Sequence, residues 1–265
     1  MRRFLKFTFL LIISYFIIPS VHGYSSSTDT SFVITVLCYN IRFGELASLE
    51  QLADFIKAQN PDVVALQEVD YKTHRSLAPH QNGKDFITEL GYRTGMFSAY
   101  GKTIPYSGGY YGIGILSRHP LAETKRIYLP SPEEQRALLV ATVELPDSNF
   151  FTFACTHLDV TSSKVRQEQV RAINRALNDN PYPTILAGDF NAQPASAEIK
   201  DGMAQWLRAC TPDFTIPVKE PKSKIDYIFY YPQKSWKVLS AKTYSGVTLS
   251  DHLPLGAEME LVLQK

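Results

Sequence analysis

Thr184-Ile185-Leu186-Ala187-Gly188-Asp189-Phe190-Asn191 is a short apolar run that stops at a carboxylate and, two residues later, an amide. Thr184 to Ala187 reads as a buried strand, and an acid just beyond it avoids the cost of burying a charge in mid-strand. The same punctuation recurs in both directions along the chain. Phe32 to Asn40 is a β-branched and aromatic run closed by Asn40, Asp62 to Gln67 is closed by Glu68, and His157 follows Phe150 to Thr156. Asp226 opens the run Ile225 to Tyr231, and Asp251-His252 precedes Gly256 to Leu263.

The remaining segments fit around these strands. Ser107-Gly108-Gly109 turns into Tyr111 to Leu116, Pro146-Asp147-Ser148-Asn149 joins Ala137 to Leu145 with Phe150 to Thr156 as a hairpin, and Trp236 to Tyr244 is one more strand. Ser48-x-x-Gln51 caps a helix with Leu49, Leu52, Ala53 and Ile56 on one face, stopped by Asn60-Pro61. Asp85 to Leu90, ended by Gly91, is a short helix, and Ser196 to Leu207 holds another. Ser163 to Leu177 is a longer one, with Val170, Ile173 and Leu177 inward and Arg166, Glu168, Arg171 and Arg175 in solvent. Many strands, few helices and antiparallel hairpins predict an α/β sandwich of two sheets with helices outside, in a single domain over 32–265.

The N-terminus is set apart from that domain. Arg2, Arg3 and Lys6 lead into Phe7 to Ile18, an apolar run too short to span a bilayer, and Pro19 to Gly23 offers a breaker and a cut site. Residues 1–23 therefore read as a signal peptide in preference to an uncleaved anchor, and 24–31 as a polar leader, so export to the periplasm or the exterior is expected. Taking those three cations from 27 leaves 24 against 26 acidic residues, a formal charge of −2. That balance disfavours a strongly basic nucleic-acid binder. Cys38, Cys155 and Cys210 form no C-x-x-C pair, so neither a structural zinc site nor a disulfide framework is implied, with one disulfide and a spare thiol left open; Cys38 and Cys155 read as small buried hydrophobes.

Singly, the strand-end residues have ordinary structural readings: Asp189 and Asp251 as turn or capping residues, Asn40 and Asn191 as Asx-turns, His157 as a satisfied core imidazole. As a set they converge on one rim. Glu68, Asp251 and the amide oxygen of Asn40 are hard donors suited to Mg²⁺ or Mn²⁺, while two histidines and two further aspartates are available for proton transfer. That inventory suits hydrolysis of a phosphate ester.

The motifs Val36-Leu37-Cys38-Tyr39-Asn40-Ile41, Asp62-Val63-Val64-Ala65-Leu66-Gln67-Glu68, Gly114-Ile115-Leu116-Ser117-Arg118, Thr156-His157-Leu158, Gly188-Asp189-Phe190-Asn191, Lys224-Ile225-Asp226-Tyr227-Ile228 and Ser250-Asp251-His252-Leu253-Pro254 together resemble the ordered motifs of the endonuclease/exonuclease/phosphatase (DNase-like) superfamily. Glu68-Val69-Asp70 with Thr73-x-Arg75-Ser76, and Gly109 to Gly112, are similar to a branch of small bacterial hydrolases within it. The resemblance implies a four-layered sandwich of two mixed β-sheets flanked by helices, with Mg²⁺ or Mn²⁺ at one rim. It implies Glu68 as the main metal ligand with Asn40 and Asp251, and Asp226 orienting His252. It further implies Asp189 on the attacking water, Asn191 on the phosphate, and His157 on the transition-state charge or leaving group; which of Asp189 and His252 takes the proton stays open. Tyr111, Ile113 and Ile115 stand where a deoxyribonuclease of the pancreatic type would pair a glutamate with a histidine, which disfavours DNase-like activity.

Arg75, Arg136 and Lys224 are candidate phosphate contacts, with a solvated surface cation as the expected fate of each. Tyr111 reads equally as a rim aromatic or as core, His74 and His80 as bystanders in a polar loop, and the segment Arg75 to Pro105 as the loop that sets selectivity. A metal-free glycosidase using Glu68 and Asp189 leaves both histidines and both asparagines unexplained. A serine hydrolase lacks its G-x-S-x-G elbow. The expected activity is that of an exported phosphodiesterase acting on nucleic acid, phospholipid head groups or sugar phosphates without an obligate protein partner; the alternative is a catalytically silent glycan- or lipid-binding module on the same fold.

Overall fold

The computed structural model describes residues 31–262. The segment read as a signal peptide, the expected polar leader before Ser31, and Leu263, which closed the last expected strand, lie outside the described residues. In chain order the strands are β1 (Ser31–Asn40), β2 (Val63–Tyr71), β3 (Phe97–Tyr106), β4 (Gly109–Ser117), β5 (Leu121–Tyr128) and β6 (Ala137–Leu145). They continue with β7 (Asn149–His157), β8 (Thr184–Asp189), β9 (Leu207–Arg208), β10 (Asp226–Tyr231), β11 (Trp236–Thr243) and β12 (Leu255–Val262). The helices are α1 (Leu49–Gln59), α2 (Phe86–Thr94), α3 (Ser163–Leu177) and α4 (Ala197–Lys200).

Two six-stranded sheets form, in the orders β11-β12-β1-β2-β4-β3 and β5-β6-β7-β8-β10-β9. Each is mixed, because β1 runs parallel to β2 and β7 parallel to β8 among otherwise antiparallel neighbours. Alternation along β1 explains the layering: Ile34, Val36 and Cys38 face the second sheet, while Leu37 and Tyr39 face helices. The intersheet core gathers Ile115, Leu139, Phe153, Cys155 and Ile228, where Phe153→Ala costs about 3–5 kcal/mol. Helices α1 and α2 close the outer face of the first sheet through Leu52, Ile56, Phe86 and Leu90. Helices α3 and α4 close the second through Val170, Ile173, Leu177 and Ile199. This is the four-layered, DNase-like α/β sandwich that the motifs implied.

Helix α1 begins at the reciprocal Ser48/Gln51 capping box and ends at Asn60 in a left-handed conformation. Elsewhere the structure corrects the boundaries. Helix α2 continues through Gly91 to Thr94 and stops at Gly95, whose φ of 70° suits glycine. Ser196 to Leu207 is a single helical turn followed by the short β9, and Arg75 to Pro105 is no open loop, since it holds α2 and most of β3. Arg166 is not in solvent: its Nε lies 2.6 Å from Oε1 of the buried Glu198, a partner far along the chain. All three cysteines are free, with Cys38 and Cys155 buried. Among the described residues no helix is long and apolar enough to cross a membrane.

Candidate active site

Strand pairing builds half of the site. In the second sheet His157 is opposite Asp189 across β7 and β8, and Asp189 is opposite Asp226 across β8 and β10. The three therefore stand side by side at the ends of neighbouring strands. Gly188 permits the close approach: a Cβ there would run into the carbonyl oxygen of Thr156 on β7. His252, from the segment before β12, meets this row from the first sheet, with Nδ1 2.9 Å from Asp226 Oδ2 and Nε2 3.7 Å from Asp189 Oδ2. His157 Nε2 lies 3.6 Å from the same Asp189 oxygen.

Burial sets the charges in the row. It opposes the positive form of His252, but Asp226, with Asp189 and Asp251 behind it, outweighs that cost and raises the imidazole to about 10. Asp189 is held well above the usual carboxylate range by burial and by Asp226, against the pull of His252. Burial, reinforced by Arg136 and His252, pushes His157 well below its usual range, so it is neutral. A charged and a neutral imidazole thus flank one carboxylate.

The other half comes from the first sheet. Glu68 does not close its strand as expected: β2 runs on to Tyr71 because Val69, Asp70 and Tyr71 pair with Gly112, Tyr111 and Tyr110. Glu68 is the extra residue of a bulge between Gln67 and Val69, at φ 58°, and the bulge re-aims its carboxylate out of the ladder. Asn40 ties the halves together, its Nδ2 reaching Glu68 Oε1 and Asp189 Oδ2 at 3.1 Å each. Asn40 is the partner that the Glu68 carboxylate finds among the described residues, and burial raises the Glu68 pKa. Asp251 is partly exposed, with Oδ2 2.7 Å from Nη1 of Arg42.

The eight residues chosen from sequence thus meet at one rim, in two groups. Asn191 follows the row at φ 49°; its N–H donates to Asp189 Oδ1 at 2.8 Å and its Nδ2 to the Leu158 carbonyl at 3.1 Å. The cluster in which acids and imidazole approach within 4.8 Å of one another is Asp189, Asp226 and His252, a different set from the sequence-derived Asn40, Glu68 and Asp251. The cluster is held together by the His252–Asp226 ion pair, and a charged imidazole offers no lone pair to a cation. The hard oxygens of Asn40, Glu68 and Asp251 lie outside this pair and are donors that could hold a divalent metal.

None of the three candidate phosphate-binding cations is solvated. Arg136 and Lys224 are buried, and Arg75 is nearly so, locked to Asp70 by bonds of 2.6 and 3.0 Å and stacked between Phe43 and Tyr106 at 4.1 Å from each ring. The available signal was positional: Arg136 and Lys224 adjoin strand starts at the same rim as the acids. Tyr111 is buried beside Glu68, Arg136 and Arg75. His80 makes a structural contact, its Nε2 lying 3.0 Å from the Gly44 carbonyl.

Comparison with known proteins follows the same pattern. The uncharacterized protein YbhP of Escherichia coli (strain K12) is 27% identical over 252 residues, covering 87% of this chain and 97% of its own. An endonuclease/exonuclease/phosphatase from Bacteroides vulgatus superposes with a TM-score of 0.71 at 19% identity, over 87% of this chain and 99% of its own. A mannosyl-6-phosphatase from Bacteroides thetaiotaomicron VPI-5482 gives 0.65 at 18% identity, over 85% and 99%. The sequence matches the Endonuclease/Exonuclease/phosphatase family over residues 37–252, from the middle of β1 to the His252 of the charged pair, and the chain belongs to that family.

Proposed function

We propose that this chain is an exported hydrolase of phosphate esters that works with Mg²⁺ or Mn²⁺, with phosphodiesters as its leading substrate class. The observation that carries this reading is the lateral row His157–Asp189–Asp226, capped by His252 and facing Glu68 through Asn40. Asp189 is the group to take the proton of the attacking water, because a carboxyl held above its usual range is the better base near neutral pH. His252, kept as an imidazolium by Asp226, offers positive charge to a phosphoryl oxygen and cannot itself accept a proton. His157, neutral and beside Asp189, hydrogen-bonds the leaving group, and the second N–H of the Asn191 amide is left for the phosphate.

Asn40, Glu68 and Asp251 would hold the cation, whose chemistry when bound is Lewis-acid stabilisation of charge on the phosphoryl oxygens. Glu68 favours this assignment because its partly buried carboxylate finds one side-chain partner among the described residues, the Asn40 amide. The leader in residues 1–23 supports export to the periplasm or the exterior. Nucleic acid, phospholipid head groups and sugar phosphates are the substrates to separate, and the mannosyl-6-phosphatase of the same fold makes sugar phosphates a necessary arm.

The test is hydrolysis of bis-p-nitrophenyl phosphate, p-nitrophenyl phosphate, plasmid DNA, RNA, sphingomyelin, phosphoinositides and mannose 6-phosphate by the mature chain. Each is assayed with Mg²⁺, Mn²⁺ or EDTA, beside a His252→Ala control. Metal-dependent turnover lost in the control is expected. Absence of turnover with every metal, ligand binding being retained, would replace this reading with the silent binding module.

A further inference from the structure

Arg75, a candidate phosphate contact by sequence, is used by none of these steps. Its fork is spent on Asp70, with Nε 2.6 Å from Oδ2 and Nη2 3.0 Å from Oδ1, and its Cζ lies 4.1 Å from the ring centres of both Phe43 and Tyr106. Asp70 is itself buried and accepts from Thr73 Oγ1 as well. The guanidinium is therefore fixed in orientation and presents a plane to the Phe43 ring.

Phe43 stands in an unusual stretch of backbone. Arg42, Phe43 and Gly44 have φ of 44°, 42° and 64°, a left-handed run in which two of the three residues carry side chains. L-residues visit that region singly and at a cost, so a consecutive pair persists only where the surroundings impose it. The loop between β2 and α2 imposes it twice. His80 Nε2 and Gln81 Nε2 donate to the Gly44 carbonyl at 3.0 and 3.2 Å, and Arg75 holds the Phe43 ring.

What the turn delivers is a backbone N–H. That of Arg42 donates to Asn40 Oδ1 at 3.0 Å, while Nδ2 of the same amide donates to Glu68 Oε1 and Asp189 Oδ2. Turned over, the amide would set N–H against N–H at Arg42 and oxygen against two carboxylates, so the turn and the acids together allow one orientation. An amide oxygen has two lone pairs, and the second remains for a cation. The contacts close on themselves. Glu68 and Asp70 lie on the same strand, Asp70 grips Arg75, Arg75 stacks on Phe43, and the N–H of the preceding Arg42 returns through Asn40 to Glu68.

Resting on the reading of Asn40 and Glu68 as metal ligands, we infer that Arg75 is a positioning residue for the metal side of the site: clamped by Asp70, it holds Phe43 in the left-handed turn from which the Arg42 N–H orients the Asn40 amide. It acts through Phe43 and requires no contact with metal or substrate. Of Arg42 the clamp uses the N–H and not the side chain.

The experiment follows the melting temperature of the mature chain against Mg²⁺ and Mn²⁺ concentration, without substrate, for wild type, Arg75→Lys, Phe43→Gly and Phe43→Tyr. Arg75→Lys keeps the charge and loses the stacked plane and the fork. Phe43→Gly relieves the backbone and loses the ring, whereas Phe43→Tyr keeps the ring. Arg75→Lys and Phe43→Gly should raise the ion concentration for half-maximal stabilisation about tenfold, and Phe43→Tyr should leave it at the wild-type value. The KM for p-nitrophenyl phosphate at saturating metal should not move in any of them. A merely structural pair would lower the metal-free melting temperature and leave the ion half-saturation where it was, and that result overturns the inference. So does a raised KM with unchanged ion affinity, which would return Arg75 to the substrate. Should Arg75→Lys not fold, the two Phe43 variants decide by the same criteria. Exchange of the Asn40 side-chain amide with water, its NMR signals identified by their loss in Asn40→Ser, is measured without metal. It should be slow in wild type and Phe43→Tyr and faster in Arg75→Lys and Phe43→Gly. A wild type that neither ion stabilises would count against the metal reading, and the exchange rates then judge the clamp alone; equal rates in all four chains overturn it.

Discussion

The two halves of the site are built on different terms. His157, Asp189, Asp226 and His252 are buried and set one another's charge, the first three adjacent in register and the fourth paired with Asp226, so their geometry exists before anything binds. Glu68 and Asp251 are held loosely by comparison: one rests on a single amide and the other is engaged by a half-exposed arginine. The boundary runs between consecutive residues, since Asp251 faces Arg42 while His252 faces Asp226. A preassembled half is where substitution should damage chemistry most. A half awaiting a cation should show its losses as metal requirement.

The largest effect is expected from Asp189→Asn. Removing the proposed base should lower kcat by about 10³-fold, within the usual range for a general acid or base. Because Asn40 and His252 remain beside it, metal half-saturation should change little. A loss that added metal repairs would move Asp189 into the other half.

Asp226→Asn tests how His252 is charged. Its folded pKa near 10 lies above the ordinary value of about 6.5, so the stability it contributes is fully present below the unfolded value and is lost as pH rises through the folded one. Wild-type melting temperature should therefore decline between pH 7 and 10, whereas Asp226→Asn should be flatter over that window and lower in kcat by about 10²-fold. Histidine signals in NMR titration would check the assignment. An imidazole of His252 titrating at its ordinary pKa in the wild type would dissolve the contrast between a charged and a neutral histidine.

Glu68→Gln belongs to the other class. Losing the carboxylate while keeping its size should raise the Mg²⁺ concentration for half-maximal activity by about 10–100-fold, with kcat largely recovered at saturation. Without metal the variant should melt no lower than wild type, since a desolvated carboxylate has been removed. A fall in kcat that metal cannot restore would place Glu68 among the proton-handling groups.

The same division explains what the sequence revealed. The eight residues that meet at the rim were legible because most of them stand at strand ends, where charge is tolerated, and the intersheet strands announce themselves by apolar runs. Three strands stayed hidden, among them the two-residue β9 at the end of the segment read as a helix. β5 lies at the edge of its sheet with Glu123, Lys125 and Arg126 in solvent, and β3 is an edge strand broken by Gly101 and Pro105, so neither carries clean alternation. The continuation of β2 past Glu68 was illegible for a related reason, because a bulge reverses the facing of every later side chain. Burial of Arg75, Arg136 and Lys224 depends on long-range packing that no local pattern encodes; Asp70 and Arg75, five apart in sequence, meet only because β2 extends that far.

The smallest effect is expected from Arg42→Ala, and its sign is the informative part. Arg42 sits at φ 44°, between Asn40 and a Phe43 also at positive φ, and this strained turn carries the guanidinium across to Asp251. It pairs as well with Glu45, so two acids share one cation that is about one-third exposed. An exposed pair of this kind contributes about 0.2–1 kcal/mol, which corresponds to no more than about fivefold in an equilibrium. If Asp251 is a metal ligand, its pairing with Arg42 competes with the cation, and Arg42→Ala should lower the Mg²⁺ half-saturation by up to about fivefold at low ionic strength, with the gain shrinking as salt is raised. If Arg42 instead positions Asp251 for the metal, the same substitution raises the requirement. Mg²⁺ titrations of activity at two salt concentrations separate the outcomes, and a rise would mean that this half is also organised by the protein in advance, leaving Glu68 alone to wait for the ion.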